Sequence, residues 1–229
     1  MADSSLSPYN FIKDDKFVGI NTDIISKVLQ EENLAFRIEN INWARAQQIV
    51  QSTPDTALLA AGRNVEREHQ YAWVGPLVSS TPYLFKLSSR EDVSVSSFAD
   101  LKFYRIGLTR RGVMVPTFKK LGLKVPENLI LVSGAEETYG MLFQKRVDLI
   151  LGSDLTMPYN LRNLGYELDA LEPVIQIDYE GSGNHLALHK SYSAESIERL
   201  NARIKKMWNS GEIEGIIDSY RLLPKSIND

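Results

Sequence analysis

The sequence contains no cysteine. That excludes disulfides, thiolate metal sites and a cysteine nucleophile. Histidine is scarce, with three in 229 residues. Only His185 and His189 are close in sequence, and they fall on an expected strand, where both point to one side. No metal site and no cofactor is expected. There is no basic surplus either: 26 Lys and Arg stand against 29 Asp and Glu, a net charge of −3. The two signs are interspersed, so neither a nucleic-acid stripe nor a polybasic membrane run reads in the chain. The apolar runs are far shorter than the roughly 18 residues of a membrane span. Met1-Ala2-Asp3-Ser4-Ser5 carries no basic segment followed by an apolar stretch, so no secretory leader reads at the start. The chain is expected either to be cytoplasmic or to have lost a leader. The Gly-rich fingerprints of dinucleotide and P-loop sites are missing. Ser, His and Asp are present, but no Gly-x-Ser-x-Gly elbow; Gly181-Ser182-Gly183 reads as a hinge-like turn.

What is present is a pattern of short strands alternating with helices. Phe11 to Gly19 reads as a hairpin turning at Lys13-Asp14-Asp15-Lys16. Helical spacing follows from Thr22, then a strand at Phe36–Ile41, a helix at Arg45–Val50 and a buried strand at Thr56–Ala61. A second αβ series has strands at Tyr104–Leu108, Leu129–Val132 and Val147–Leu151. Its helices fall at Val113–Leu121, Glu136–Gln144 and Pro158–Leu164. The chain then returns through 174–179 and Asn184–Leu188. It ends in an amphipathic helix at Glu195–Asn209, stopped by Gly211, and a last helix at Ile213–Tyr220. Strands separated by helices imply an α/β fold with mainly parallel sheets. Residues 1–7 read as a loose lead-in.

The candidate site lies where the apolar run Leu58-Leu59-Ala60-Ala61 ends in Gly62-Arg63-Asn64-Val65-Glu66-Arg67-Glu68. Open α/β sheets bind ligands at the carboxyl ends of their strands. Arginine suits a planar anion there, because its fork of donors matches a carboxylate. Arg63 either faces the ligand or ties the loop to Glu66. Trp43 and Arg45 also follow an expected strand, as a stacking wall and a second cation, with core packing the alternative for Trp43. Tyr9 and Phe11 form either hairpin packing or an aromatic lid, and Trp73 packs the lobe. Thr109-Arg110-Arg111-Gly112 joins a strand to a helix, where free amides favour anions. Arg111 and Gly112 are therefore candidates, against a basic surface turn.

Pro8-Tyr9-Asn10-Phe11, Gly19-Ile20, Asp23-Ile24-Ile25, Gly62 to Arg67 and Trp73-Val74-Gly75-Pro76 together resemble the family 3 periplasmic solute-binding proteins. So do the later marks Arg105-Ile106-Gly107, Arg146 to Ile150, Leu200-Asn201, Gly211-Glu212-Ile213 and Tyr220. These are receptors of polar amino-acid ABC transporters. The resemblance implies the two-lobed type II fold, each lobe a mainly parallel sheet flanked by helices. Lobe one is then 1–85 plus 182–229 and lobe two 90–175, with hinge crossings at 86–89 and 176–181. It implies a monomer outside the cytoplasm that closes on a small anionic or zwitterionic ligand and delivers it to an ABC permease. Arg67 falls at the family's carboxylate-binding arginine. Two alternatives share the scaffold: a dehydratase-like enzyme using Asp154 or Glu136, and the sensory module of a receptor.

Three departures stand out. The loop before the Glu66-Arg67 pair is short. The position of the family's ammonium-binding aspartate is Ser153, with Asp154 one step later and so on the other face of a continuing strand. The family's first strand has only Met1–Ser7 to supply it, so a sheet gap is expected, filled by looser packing or a neighbouring chain.

Overall fold

A computed structural model describes residues 1, 2, 4, 6–110, 112–177 and 183–221. In chain order the elements are β1 (Phe11–Lys13), β2 (Lys16–Val18), α1 (Ile20–Glu31), α2 (Trp43–Ser52), β3 (Ala57–Gly62), β4 (Ala72–Val78) and β5 (Pro82–Leu87). A 3-10 turn at Phe98–Phe103 leads into β6 (Ile106–Thr109), α3 (Val115–Lys120), β7 (Leu129–Val132), α4 (Ala135–Phe143), β8 (Leu149–Ser153) and α5 (Thr156–Asn163). The last elements are β9 (Leu171–Gln176), β10 (Asn184–Leu188), α6 (Ala194–Asn209) and α7 (Glu212–Arg221). The chain divides into two compact units, one of Met1–Ser79 with Glu180–Pro224, the other of Ser80–Tyr179.

In the first unit β10 lies between β3 and β4, antiparallel to both. The other side of β3 is taken by the first two residues. The Met1 nitrogen donates to the Ala57 carbonyl at 2.8 Å and the Leu59 N–H to the Met1 carbonyl at 2.9 Å. Ala2, fully buried, bridges Asn40 in parallel. This corrects two expectations. Met1 and Ala2 are a built-in strand stub rather than a loose lead-in, so the sheet has no gap there for a neighbouring chain to fill. Among the described residues the strand expected at Phe36–Ile41 shrinks to that bridge, held by the Ala2 N–H on the Glu39 carbonyl and the Ile41 N–H on the Ala2 carbonyl. The strand β4 was not predicted as one: Gly75-Pro76 interrupts its pattern. Proline lacks a donor and is confined to sheet edges, which is where β4 lies.

The hairpin forms as expected, pairing Phe11 with Val18 and Lys13 with Lys16. Asp14 and Asp15 both take positive φ, 50° and 58°, as a two-residue hairpin turn with the right twist requires. Asn42 caps α2 by accepting from the Ala44 N–H, and Ser193 caps α6 from Ser196. Gly211, at φ 77°, ends α6.

The second unit is one five-stranded sheet in the order β7-β6-β8-β5-β9. The pairs β6/β7 and β6/β8 are parallel, whereas β5 runs antiparallel to β8 and β9. Alternate residues build a core on each face. Leu84, Ile106, Leu149 and the fully buried Phe118 of α3 fill one; Phe85, Ile150, Tyr139 and Leu142 of α4 and Met157 of α5 fill the other.

Asn201 of α6 clamps β4 through its amide, accepting from the Gly75 N–H at 2.8 Å and donating to the Trp73 carbonyl at 3.3 Å. Asn201→Ala leaves two main-chain groups without their partner. It is expected to cost about 2 kcal/mol of stability, read from the denaturant midpoint at unchanged slope.

Candidate functional site

The first unit's site grows from the end of β3. Leu58 to Ala61 are buried, and the chain emerges at Gly62 through Arg63 and Asn64 into turns spanning 65–70. Asn64 sets the next step. Its carbonyl and its side-chain oxygen both accept from the Arg67 N–H, at 3.1 and 3.0 Å. Such a side-chain-to-backbone turn holds the loop locally. The Arg67 guanidinium folds back, with Nη1 donating to the Gly62 carbonyl at 3.2 Å. Its central carbon lies 5.8 Å from the centre of the Trp43 ring. Trp43 is held in place by the capped start of α2 and packs partly against the Ala46, Leu58 and Trp73 core. Three predicted site residues, Gly62, Arg67 and Trp43, thus come together, and a cation over an indole face is worth roughly 0.5–1 kcal/mol when exposed.

Arg63 resolves differently. It ties the loop through Glu68. Nε and Nη2 meet the two carboxylate oxygens at 2.7 and 2.6 Å, a bidentate pair. The same guanidinium lies 5.8 Å from the Trp73 ring centre, and the Trp73 indole N–H donates to the Glu68 carbonyl at 3.2 Å. The pair holds the Glu68 carboxyl below the ordinary 4.5 and raises the Arg63 guanidinium. Trp73 in turn meets Tyr71 and His185 edge-on. Burial lowers the His185 pKa, and its Nδ1 lies 3.1 Å from the Gly183 carbonyl. Glu68 and Asn64 are the positioning residues that sequence reasoning missed. The Asn three residues before Arg67 was the available signal.

Arg45 is exposed on α2. Two residues from Trp43, it lies on another face of the helix. Tyr9 and Phe11 are buried, and the Phe11 ring meets Tyr220 edge-on at 6.2 Å. The Tyr220 hydroxyl accepts from the Gly19 N–H at 2.7 Å and donates to Asp23 at 2.5 Å. Gly19 sits at φ 126°, where a Cβ would come 2.5 Å from the Tyr9 carbonyl oxygen. Burial raises the Asp23 pKa, with the Tyr220 hydrogen bond opposing it.

In the second unit Arg110 is exposed, and Arg111 lies outside the described residues. The Gly112 N–H is not an open anion donor: it bonds the Thr109 carbonyl at 2.9 Å. The helix that follows starts only at Val115 and has six residues. Ser153 ends β8, buried. Its hydroxyl accepts from Leu155 and Thr156 at 3.3 and 3.2 Å, and its N–H donates to the Thr156 hydroxyl at 2.9 Å. Asp154 and Glu136 are exposed. Among the described residues no group of His, Cys, Asp and Glu could hold a metal ion.

The chain resembles several solved structures at low identity. One is a histidine kinase sensor domain with similarity to periplasmic binding proteins, at 18% identity and TM-score 0.82, covering 98% of this chain and 95% of that one. Another is the arginine-, lysine-, histidine-binding protein ArtJ from Geobacillus stearothermophilus, at 18% identity and TM-score 0.80, covering 99% and 96%. A third is the substrate binding protein of an amino acid ABC transporter, at 18% identity and TM-score 0.76, covering 96% of each chain. No curated protein matches the sequence. Among the described residues no helix is long and apolar enough to cross a membrane. At such identities these likenesses establish the fold. The family model for bacterial extracellular solute-binding proteins, family 3, matches residues 1–222, and the chain belongs to that family.

Proposed function

We propose that this protein is an extracytoplasmic receptor that closes around a small carboxylate-bearing solute and delivers it to an ABC-type permease. In this reading the lobes are the two units, Met1–Ser79 with Glu180–Pro224 and Ser80–Tyr179; β5, expected within lobe one, is instead a strand of the second unit's sheet. The observation that carries the reading is the seating of Arg67. Its guanidinium leaves the end of a buried strand, is fixed by the Gly62 carbonyl and lies against the Trp43 indole. A cation held this way is preorganised for a planar anion, which saves the ordering cost of binding. Arg63 bound to Glu68 keeps the loop in shape.

The second unit bears on the ligand class. The Ser153 hydroxyl accepts the main-chain N–H groups at the start of α5, and Asp154 points from an exposed position. A serine hydroxyl at that position carries no charge to pair with an ammonium group, which favours a carboxylate without an α-amino group. Closure is driven by the ligand's greater affinity for the shut state. The likeness to a kinase sensor domain favours one second reading, in which the same closure is read by a signalling partner.

The test is a thermal-shift screen with succinate, malate, benzoate and L-arginine, followed by titration of whichever acid raises the melting point. Arg67→Ala is expected to weaken that acid by about 30-fold or more, the effect of losing a charge-paired contact worth about 2 kcal/mol, while the ligand-free melting point stays close to that of the parent. Unchanged affinity in Arg67→Ala would remove the assignment. Acid stability gives a further check. The folded-state pKa of Glu68 lies below 4.5, so its contribution to stability is complete above pH 4.5 and disappears as pH falls through the folded value. Glu68→Gln is expected to flatten that part of the stability–pH curve.

A further inference from the structure

The first two turns outside the second unit's parallel strands present a surface that the ligand reading does not use. Phe103 ends the 3-10 turn with 71% of its surface exposed. Leu121 and Val125, on the turn between α3 and β7, are 44% and 45% exposed. Leu123 between them is buried in the core and anchors that turn. Asn128 joins the two turns: its Nδ2 donates to the Lys102 carbonyl at 2.8 Å, and its Oδ1 accepts from the Lys124 N–H at 3.3 Å. The three exposed apolar side chains therefore stand on adjoining turns, with Lys102 and Lys124 exposed on the same turns and Lys119 exposed near the end of α3. The Lys102 ammonium lies 4.9 Å from the Phe103 ring centre.

The charge balance here is positive. Asp100 accepts from the Ser96 and Ser97 N–H groups, and Asp148, on the adjoining strand, is bound by Arg90 and Arg105. Glu127 is the exposed acid on the turn itself. Lys145 and Arg146, just before β8, are exposed as well, with Asp92 near Lys145. No run of cations appears in the sequence, because the lysines come from segments about twenty residues apart that the fold brings together.

We propose that this face docks onto an anionic lipid surface, with Phe103, Leu121 and Val125 entering the interface and Lys102, Lys119 and Lys124 meeting the headgroup phosphates. The chemistry favours lipid over an acidic protein. Lysines on flexible stems around protruding apolar side chains suit an interface without fixed geometry, where the stems lie along apolar material and the ammonium groups reach the phosphates. Each lysine near an anionic membrane surface adds about 1 kcal/mol, roughly fivefold in partitioning. One such patch gives weak, reversible association, consistent with a protein that must also engage solute.

The experiment is co-sedimentation of the full chain with vesicles. One set contains equal phosphatidylglycerol and phosphatidylcholine, the other phosphatidylcholine alone, each at low and high salt. Binding is expected only to the anionic vesicles and only at low salt. The combined change Lys102→Gln, Lys119→Gln and Lys124→Gln is expected to lower partitioning on the order of 100-fold. Phe103→Ser alone is expected to lower it about tenfold. All four positions are exposed, so the variants should melt with the parent; a vesicle loss accompanied by unfolding is resolved by repeating with Lys102→Arg, which keeps the charge and must retain binding. Equal binding to both vesicle types, no binding to the anionic ones, or variants that bind like the parent would each overturn the proposal. So would capture of an acidic protein through this face without any vesicle binding.

Discussion

The first unit rests on one pairing. The strand β10 is hydrogen-bonded on both edges, to β3 and to β4, and it comes from a part of the chain more than a hundred residues beyond either. Without it β3 and β4 have no common neighbour, and the turns that carry Arg63 and Arg67 have no rigid base. The helix after β10 reinforces the arrangement, since Asn201 bonds main-chain groups of Trp73 and Gly75 while the Trp208 indole N–H donates to the Pro76 carbonyl at 3.1 Å. The return of the chain thus serves the site as much as the sheet.

Two arginines four residues apart show how local geometry separates residues of one type. Arg63 meets a carboxylate in its own loop, and its planar fork is matched atom for atom. Arg67 meets a carbonyl and an aromatic face, neither of which carries a formal negative charge. The first therefore stiffens the loop, and the second holds its guanidinium at the end of β3. Both lie against tryptophans, which gives the guanidinium planes a flat, weakly hydrated surface to rest on.

Most of the fold could be read from hydrophobic spacing. The hairpin, the α/β series of the second unit and the amphipathic α6 were legible because their burial follows a single period. The reading failed where a partner from elsewhere decided the outcome. Residues 36–41 alternate like a strand, yet among the described residues their ladder is the single bridge of Asn40 to Ala2. The edge strand β4 was hidden by Gly75-Pro76. At the site, the strand end and Arg67 were legible from the apolar run and the charge that follows it. The pairing of Arg63 with Glu68 was not, because it depends on turns that bring residue 68 back toward 63. Likewise, Ser153 looked like a vacant ligand position in sequence, whereas its hydroxyl is engaged by the first amides of the next helix.

The two units differ in how their strands are drawn from the chain. The five strands of the second all fall within 82–176, while the first needs residues from both sides of that stretch. During synthesis from the amino end, the second sheet has all its strands in hand before β10 has been added. The first 79 residues must wait, with β3 and β4 lacking their shared neighbour, until the ribosome has moved well past residue 188. A chaperone or a slow translocation step acting on the nascent protein would find its exposed strand edges in the first unit, not the second.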